Sequence, residues 1–243
     1  MAHPDDAEIF CGGTLIRLAA AGWEVHIATV ALGDCGSVSE PAAQIAVRRA
    51  GEARRAAAMI GAAYHCLEER DGFVVYDKPT LKKAVELYRR IGPQLVLTHS
   101  TEDYMMDHVM TGLLARAAGF LYAAPNICDL PVVAGSCVPY LYYCDTMEGI
   151  DIFGRPIKVG TYVDISATLE EKIRMLACHE SQREWLRAHH GTDEYLDAVR
   201  RHARRRGCEI GLEAAEAFVQ HRGHAFPQDD LLARCFGPDS LSA

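Results

Sequence analysis

Residues 1–14 of the 243-residue chain read MAHPDDAEIFCGGT and crowd ionisable groups together. Within the first eight residues lie one imidazole and three carboxylates: His3, Asp5, Asp6 and Glu8. Burying these four side chains together would cost free energy unless a cation neutralised their negative charge. Pro4 keeps His3 extended, and Gly12 and Gly13 predict a tight loop that leads into a helix. We therefore expect a charged loop between a strand and a helix, at the sheet edge where ligands bind.

Such a unit needs a strand before its loop, but only Met1 and Ala2 precede His3 in the sequence. Loss of a central strand would expose apolar faces and unpaired backbone groups. We therefore expect that the natural chain begins several residues earlier. The alternative is a form of the protein whose sheet lacks its first strand.

The rest of the sequence alternates between two hydrophobic patterns. The runs typical of buried strands are residues 25–31, 63–67 and 94–99, and those with helical spacing are residues 41–60, 79–91 and 108–122. Strand and helix in this order favour parallel pairing. The predicted fold class is α/β: a three-layer Rossmann-like sandwich with a mostly parallel sheet whose first strand is absent or truncated.

We expect a single domain over residues 1–243, because no linker separates independent units. Its core is expected over about residues 1–125, and strands and helices over about residues 139–220 are expected to complete the site. A long helix is predicted from Ser166 to about residue 189. A further helix is predicted from Thr192 to Arg206, ending in a basic run that is either an anion patch or a solvated helix end.

Composition excludes several classes of protein. With 25 Lys+Arg and 33 Asp+Glu, the net charge is −8, which gives no overall attraction to nucleic acid or anionic lipid. No uncharged apolar run is long enough to cross a membrane. The nine cysteines are scattered without a C-x-x-C pair, as expected of free thiols in a reducing cytoplasm. The sequence leaves open whether the protein forms a homo-oligomer.

The charged opening suggests a metal site. Catalytic zinc commonly takes three protein ligands and leaves one position for water. His3 and Asp6 supply two candidate ligands, and the polar loop over residues 100–108 supplies His108 from the same predicted edge. Asp5 would then stand beside the water, where a general base belongs.

Five stretches carry a resemblance to a known family. The most specific is HPDDAE at residues 3–8, followed by CGGTL at residues 11–15. The others lie within residues 49–61, 93–108 and 162–182, and in AEAF at residues 215–218. Together they resemble the PIG-L/LmbE-like family of zinc-dependent N-acetylglucosaminyl deacetylases.

The resemblance implies roles for individual residues. His3, Asp6 and His108 would be the ligands of zinc, or of another divalent transition metal, and Asp5 would be the general base. Arg49 matches a position that reaches substrate hydroxyls, and Asp71 lies where a carboxylate that contacts the sugar is expected. Tyr104 is a further candidate for contact with the substrate. For Arg49 and Asp71, a surface ion pair is the alternative interpretation.

One departure from the family pattern bears on the chemistry. The family that this chain resembles usually has His-Pro-Asp-His where this chain has Met105-Met106-Asp107-His108. Methionine can neither stabilise an oxyanion nor donate a proton. We expect His179 to take the role of the missing histidine, with Tyr104 or His99 as alternatives. His99 also fits a structural histidine at the end of an apolar strand. Asp107 is expected to accept a hydrogen bond from a ligand histidine.

The predicted function is zinc-dependent removal of an N-acetyl or related acyl group from a small N-acetylglucosamine-type conjugate in the cytoplasm. No nucleic acid or membrane partner is expected. Two alternatives stay open: a zinc-dependent hydratase of an unsaturated carboxylic acid on the same scaffold, and a noncatalytic sugar-binding protein.

Overall fold

The structure is a computed structural model that describes residues 1–190, 194–236 and 240–242. Eight α-helices are described: α1 Asp6–Ala20, α2 Ala42–Ala58, α3 Lys78–Ile91, α4 Met106–Leu121, α5 Leu169–Ala177, α6 Glu180–His190, α7 Tyr195–Glu209 and α8 Leu231–Phe236. Seven strands are described: β1 His26–Ala31, β2 Ala63–Glu69, β3 Leu95–Thr98, β4 Tyr140–Cys144, β5 Thr161–Asp164, β6 Ala215–Gln220 and β7 Ser240–Ser242. None of these helices is long and apolar enough to cross a membrane.

Strands pair in two separate sheets. In the first, β1 pairs with β2 in parallel. The second has the order β3-β4-β6-β5-β7, in which β3 and β4 are parallel and the later pairs are antiparallel. The α/β class is therefore confirmed, with parallel pairing at the N-terminal strands and antiparallel pairing in the C-terminal half.

An apolar cavity of about 550 Å³ lies between β1 and β3. Met1 and Ala2 pair with the end of β1: the amide of Val30 donates to the carbonyl of Met1 at 3.0 Å, and that of Ala31 to Ala2 at 2.8 Å. These two residues thus lie in the position of a strand end between the two sheets. They lead directly into the charged stretch.

Helices pack in two groups. Helix α5 contacts α1, α2 and α7, whereas α3 and α4 contact each other. The main apolar core lies between the first group and the sheets, and it includes Leu18, Ile27, Tyr142, Val163 and Phe218. This arrangement agrees with the predicted layered sandwich.

Helix α1 begins earlier than predicted, at Asp6 rather than after Gly13. It kinks at Cys11, and the carboxylate of Glu216 accepts the backbone N–H groups of Gly13 and Thr14 at 2.9 and 2.7 Å. Gly13 serves close packing, because a Cβ there would lie 2.6 Å from Ile165. The charged residues Asp6 and Glu8 therefore occupy the first turn of a helix, not a loop.

The helix predicted from Ser166 to residue 189 is interrupted. Helix α5 ends at Ala177 and α6 begins at Glu180, so His179 lies in the break. The amide and hydroxyl of Ser181 both donate to the carboxylate of the buried Glu52 on α2, which holds the start of α6. Thr192, where the next helix was expected to begin, lies outside the described residues.

The basic run on α7 is extensively paired. Arg200 contacts Glu170 and Asp197, and Arg206 lies 2.6 Å from the buried Asp145. These pairs favour a helix end tied to its neighbours over an anion-binding patch.

Candidate active site

Three predicted ligand residues meet where β1 and β3 end. His3 follows the Met1–Ala2 segment, Asp6 opens α1, and His108 lies in the first turn of α4. Asp6 Oδ2 is 3.5 Å from His3 Nδ1, and Asp6 Oδ1 is 3.6 Å from His108 Nε2. One possible ligand atom from each of the three lies within 4.8 Å of the others, so the group could hold a metal ion.

The other nitrogen of each imidazole faces a second carboxylate. His3 Nε2 lies 3.0 Å from Asp107 Oδ2, as the sequence predicts, and His108 Nδ1 lies 3.1 Å from Asp103 Oδ1. Histidines that bind metals are typically oriented in this way, with the second ring nitrogen on a carboxylate or carbonyl. The backing carboxylates leave His3 Nδ1 and His108 Nε2 to point toward Asp6.

Negative charge is concentrated around the three ligand candidates. Five carboxylate side chains are buried here: Asp5, Asp6, Glu8, Asp103 and Asp107. Arg49 is a buried cation among them. Such a group is stabilised by a bound cation, which neutralises charges that water cannot reach. The donor set and its charge therefore both fit a divalent metal ion.

Ionisation of the ligand candidates follows from these contacts. Burial favours protonated Asp6, but His108 and the hydrogen bond with His3 outweigh it and hold the pKa of Asp6 well below its usual range. Burial likewise opposes a charge on His3, but hydrogen bonds with Asp107 and Asp6 outweigh it and raise the pKa of His3 to about 10. Asp6 is therefore the fixed anion at the centre of the group.

His99 supports the N-terminal segment. Its ring stacks on that of His108 with centroids 3.8 Å apart, and Nε2 accepts the amide of Ala2 at 2.9 Å. Burial lowers the pKa of His99 to about 4, so its ring is neutral. Although His99, Asp103 and His108 form a second group that could hold a metal, the bond from Ala2 agrees with the structural interpretation of His99.

Asp5 lies beside the group in an unusual backbone conformation, with φ 109° and ψ −24°. Arg49 donates to the carbonyl of Pro4 at 2.6 Å and lies 3.4 Å from Asp5 Oδ1. The hydroxyl of Tyr195 donates to Asp5 Oδ2 at 2.6 Å. Burial raises the pKa of Asp5 although Arg49 opposes it, so this carboxylate accepts a proton more readily than an exposed one.

The three residues predicted to contact the substrate differ in their exposure to solvent. Asp71 accepts the amide of Gly33 at 2.7 Å and lies 3.9 Å from Arg49, so it braces the loop after β1. Arg49 is buried rather than part of a surface ion pair. Tyr104 is 66% exposed at the rim, with its ring centroid 6.3 Å from that of His108.

His179 is fully buried close to Asp5 and Glu8. Its Nε2 lies 3.5 Å from Glu8 Oε2, and neither ring nitrogen has a hydrogen-bond partner within the described ranges. Burial opposes a charge on the ring, but Glu8 and Asp5 outweigh it and raise the pKa of His179. A protonated His179 would therefore lie beside the carboxylates of Glu8 and Asp5.

Sequence reasoning missed two residues of this site. Asp103 precedes α4 and accepts the amide of Met105 at 2.9 Å, so an acid just before a predicted helix was an available signal. Tyr195 lies 190 positions from Asp5 along the chain, and no local pattern connects them.

The fold and cluster together define an α/β protein with a buried carboxylate–imidazole group, suited to a cation, at the ends of parallel strands. The sequence model of the PIG-L family, described as GlcNAc-PI de-N-acetylase, matches residues 1–119. Residues 1–119 thus match the PIG-L family, as the resemblance in the sequence implied.

Named relatives include enzymes of two kinds. The chain is 28% identical over 186 residues to the diacetylchitobiose deacetylase of Thermococcus kodakarensis, which covers 74% of this chain and 67% of that protein. It is 26% identical over 235 residues to the 4-oxalmesaconate hydratase of Pseudomonas putida. This alignment spans 91% of this chain and 85% of the hydratase. The N,N'-diacetylchitobiose deacetylase structure from Pyrococcus horikoshii matches with a TM-score of 0.76 at 25% identity, over 94% of this chain and 85% of that one.

Proposed function

We propose that the protein is a zinc-dependent deacetylase that removes an N-acetyl or related acyl group from a small N-acetylglucosamine-type conjugate. The observation that carries the proposal is the group formed by His3, Asp6 and His108 beside the buried carboxylate of Asp5. Similarity to a diacetylchitobiose deacetylase supports the reaction and the sugar class.

His3, Asp6 and His108 would hold the zinc ion, because two imidazoles and a carboxylate are ligands that zinc prefers. When bound, zinc polarises a carbonyl oxygen and makes water more acidic. Asp103 and Asp107 would keep the two rings oriented toward the ion through the contacts described above.

Asp5 would act as the general base. Its carboxylate takes a proton from the attacking water, and Arg49 and Tyr195 hold its two oxygens during this step. As the acyl C–N bond breaks, the amine needs a proton, and we assign its supply to His179 because Met105 cannot provide one. The buried setting of both groups strengthens their electrostatic interactions.

Substrate contacts are assigned to Arg49, Asp71 and Tyr104. The exposed ring of Tyr104 is suited to an apolar sugar face at the rim. Arg49 and Asp71 would reach sugar hydroxyls from the loop side, next to Asp5.

We further propose a cytoplasmic location, because all nine cysteines are free.

The proposal is tested by acetate release from a panel of N-acetylated sugars, including diacetylchitobiose, with zinc-loaded protein. Asp5→Asn should abolish release while it retains the metal, and His108→Ala should lose both. Acetate release that survives Asp5→Asn would contradict the assigned base.

A hydratase is the second candidate function, favoured by Met105 at the start of α4 and by similarity to a hydratase over 91% of the chain. It predicts loss of absorbance of an unsaturated carboxylic acid, with no acetate from any sugar of the panel. Stoichiometric sugar binding with neither reaction would instead support a noncatalytic sugar-binding protein.

A further inference from the structure

The carboxylate of Asp5 is held from two directions by distant parts of the chain. Arg49, on α2, lies 3.4 Å from Oδ1, and the hydroxyl of Tyr195, the first residue of α7, donates to Oδ2 at 2.6 Å. Each oxygen of a carboxylate has two acceptor positions, so both oxygens keep one for water. The two contacts fix the plane of the carboxylate without blocking it.

The backbone at Asp5 makes such support necessary. A non-glycine residue with φ 109° is strained, and such residues persist only where the surroundings hold them. Arg49 restrains this turn through the carbonyl of Pro4, but its guanidinium is also close to Asp71. Tyr195 is the contact that is directed to the Asp5 side chain alone.

Tyr195 can act only as a donor in this pair. Burial and the neighbouring Asp5 raise the pKa of Tyr195 well above its usual range, so its hydroxyl keeps its proton. Helix α7 packs on α5 and β6, which attaches Tyr195 to the rigid C-terminal half of the fold.

We propose that Tyr195 is a positioning residue of the active site, whose hydroxyl holds the carboxylate of Asp5 in the orientation that removes a proton from water. The inference rests on the proposed function, because it assigns Asp5 as the base. It extends that function by making an element of the C-terminal half a determinant of the rate.

The direct test is Tyr195→Phe, which keeps the ring and removes the hydroxyl. We expect kcat for acetate release to fall about 10- to 100-fold, since small misplacements of a catalytic group have effects of this size. KM should change less than about twofold, and zinc affinity measured by calorimetry should be unchanged, because Tyr195 touches the base and not the ligands. Tyr162→Phe is the matched control, since Tyr162 also donates to a carboxylate, Glu209, at 2.7 Å; its kcat should stay near the wild-type value.

A wild-type kcat in Tyr195→Phe would overturn the inference, as would an equal loss in Tyr162→Phe. A high-resolution crystal structure of Tyr195→Phe gives a readout that does not depend on the reaction. We expect the Asp5 carboxylate to rotate from its wild-type orientation, and an unchanged carboxylate would overturn the inference even if no acetate is released by the wild type. Absence of acetate with a rotated carboxylate would reject the proposed function and keep the positioning role.

Discussion

At the scale of single residues, Asp6 is the centre of the site, because three imidazoles face its two carboxylate oxygens. His99 Nε2 lies 3.0 Å from Oδ2, and His3 and His108 approach at 3.5 and 3.6 Å. The rings of His3 and His108 are held in turn by Asp107 and Asp103. The orientation of the imidazole nitrogens that we propose as zinc ligands therefore depends on residues that would not touch the metal.

Asp103→Asn tests this dependence. Asparagine keeps an oxygen for the amide of Met105 but loses the negative charge beside His108. We expect zinc affinity to fall about 10- to 100-fold, the usual effect of removing such a partner. Calorimetric zinc titration measures the change, with the exposed Asp129→Asn as control; equal affinities for Asp103→Asn and wild type would contradict the assignment.

At the scale of elements, the loop after β1 is shaped to admit Arg49 from α2. Gly33 has φ 78°, and a Cβ there would lie 2.8 Å from Cδ and Nε of Arg49. Asp71 accepts the amide of Gly33, so the loop and the guanidinium are fixed together. Glycine is required here both by the conformation and by the close approach.

Gly33→Ala should therefore destabilise the fold more than Gly22→Ala. Gly22 has a similar φ of 87° but nothing within 4 Å of an added Cβ, so alanine there costs only the backbone strain, about 1 kcal/mol. Gly33→Ala should add about 1–3 kcal/mol from the clash and should also lower the catalytic rate. Urea unfolding and acetate release measure both effects; equal losses of stability would show that Arg49 does not restrict the loop.

Helix α7 is tied to the end of β4 by a buried ion pair that gives a pH dependence. Burial favours protonated Asp145, but bonds from His202 and Arg206 outweigh it and lower its pKa. A carboxylate with a depressed folded pKa stabilises the fold above its unfolded pKa of about 4, and this contribution is lost as pH falls through the folded pKa.

Asp145→Asn should accordingly lower the free energy of unfolding most at pH 7. The difference from wild type should shrink below about pH 4, where the unfolded carboxyl becomes protonated. Urea unfolding at pH 7, 5 and 3 measures this difference. A difference that stays constant across these values would contradict the ionised pair.

At the scale of the whole molecule, the two sheets are joined by side chains and by the Met1–Ala2 segment across an apolar cavity. This segment is held to β1 by two backbone hydrogen bonds and leads directly into His3, so the position of the charged stretch depends on it.

Local patterns predicted much of the N-terminal half. The strand that ends at Ala31 and the helix that ends at Ile91 depend on neighbouring residues, so both could be predicted from the sequence. The start of α1 could not be predicted in this way, because the backbone N–H groups that follow its kink donate to Glu216, about 200 residues away. The antiparallel order of the C-terminal strands and the contact of Tyr195 with Asp5 likewise depend on distant pairing.

The most direct test of the account is the dependence of acetate release on zinc. Metal-stripped protein should be inactive toward N-acetylated sugars, and activity should rise in proportion to added zinc and saturate at about one equivalent, as expected of a single three-ligand site. Release of acetate by the stripped protein in the presence of a chelator would contradict the account, as would continued inactivity after one equivalent of zinc is bound.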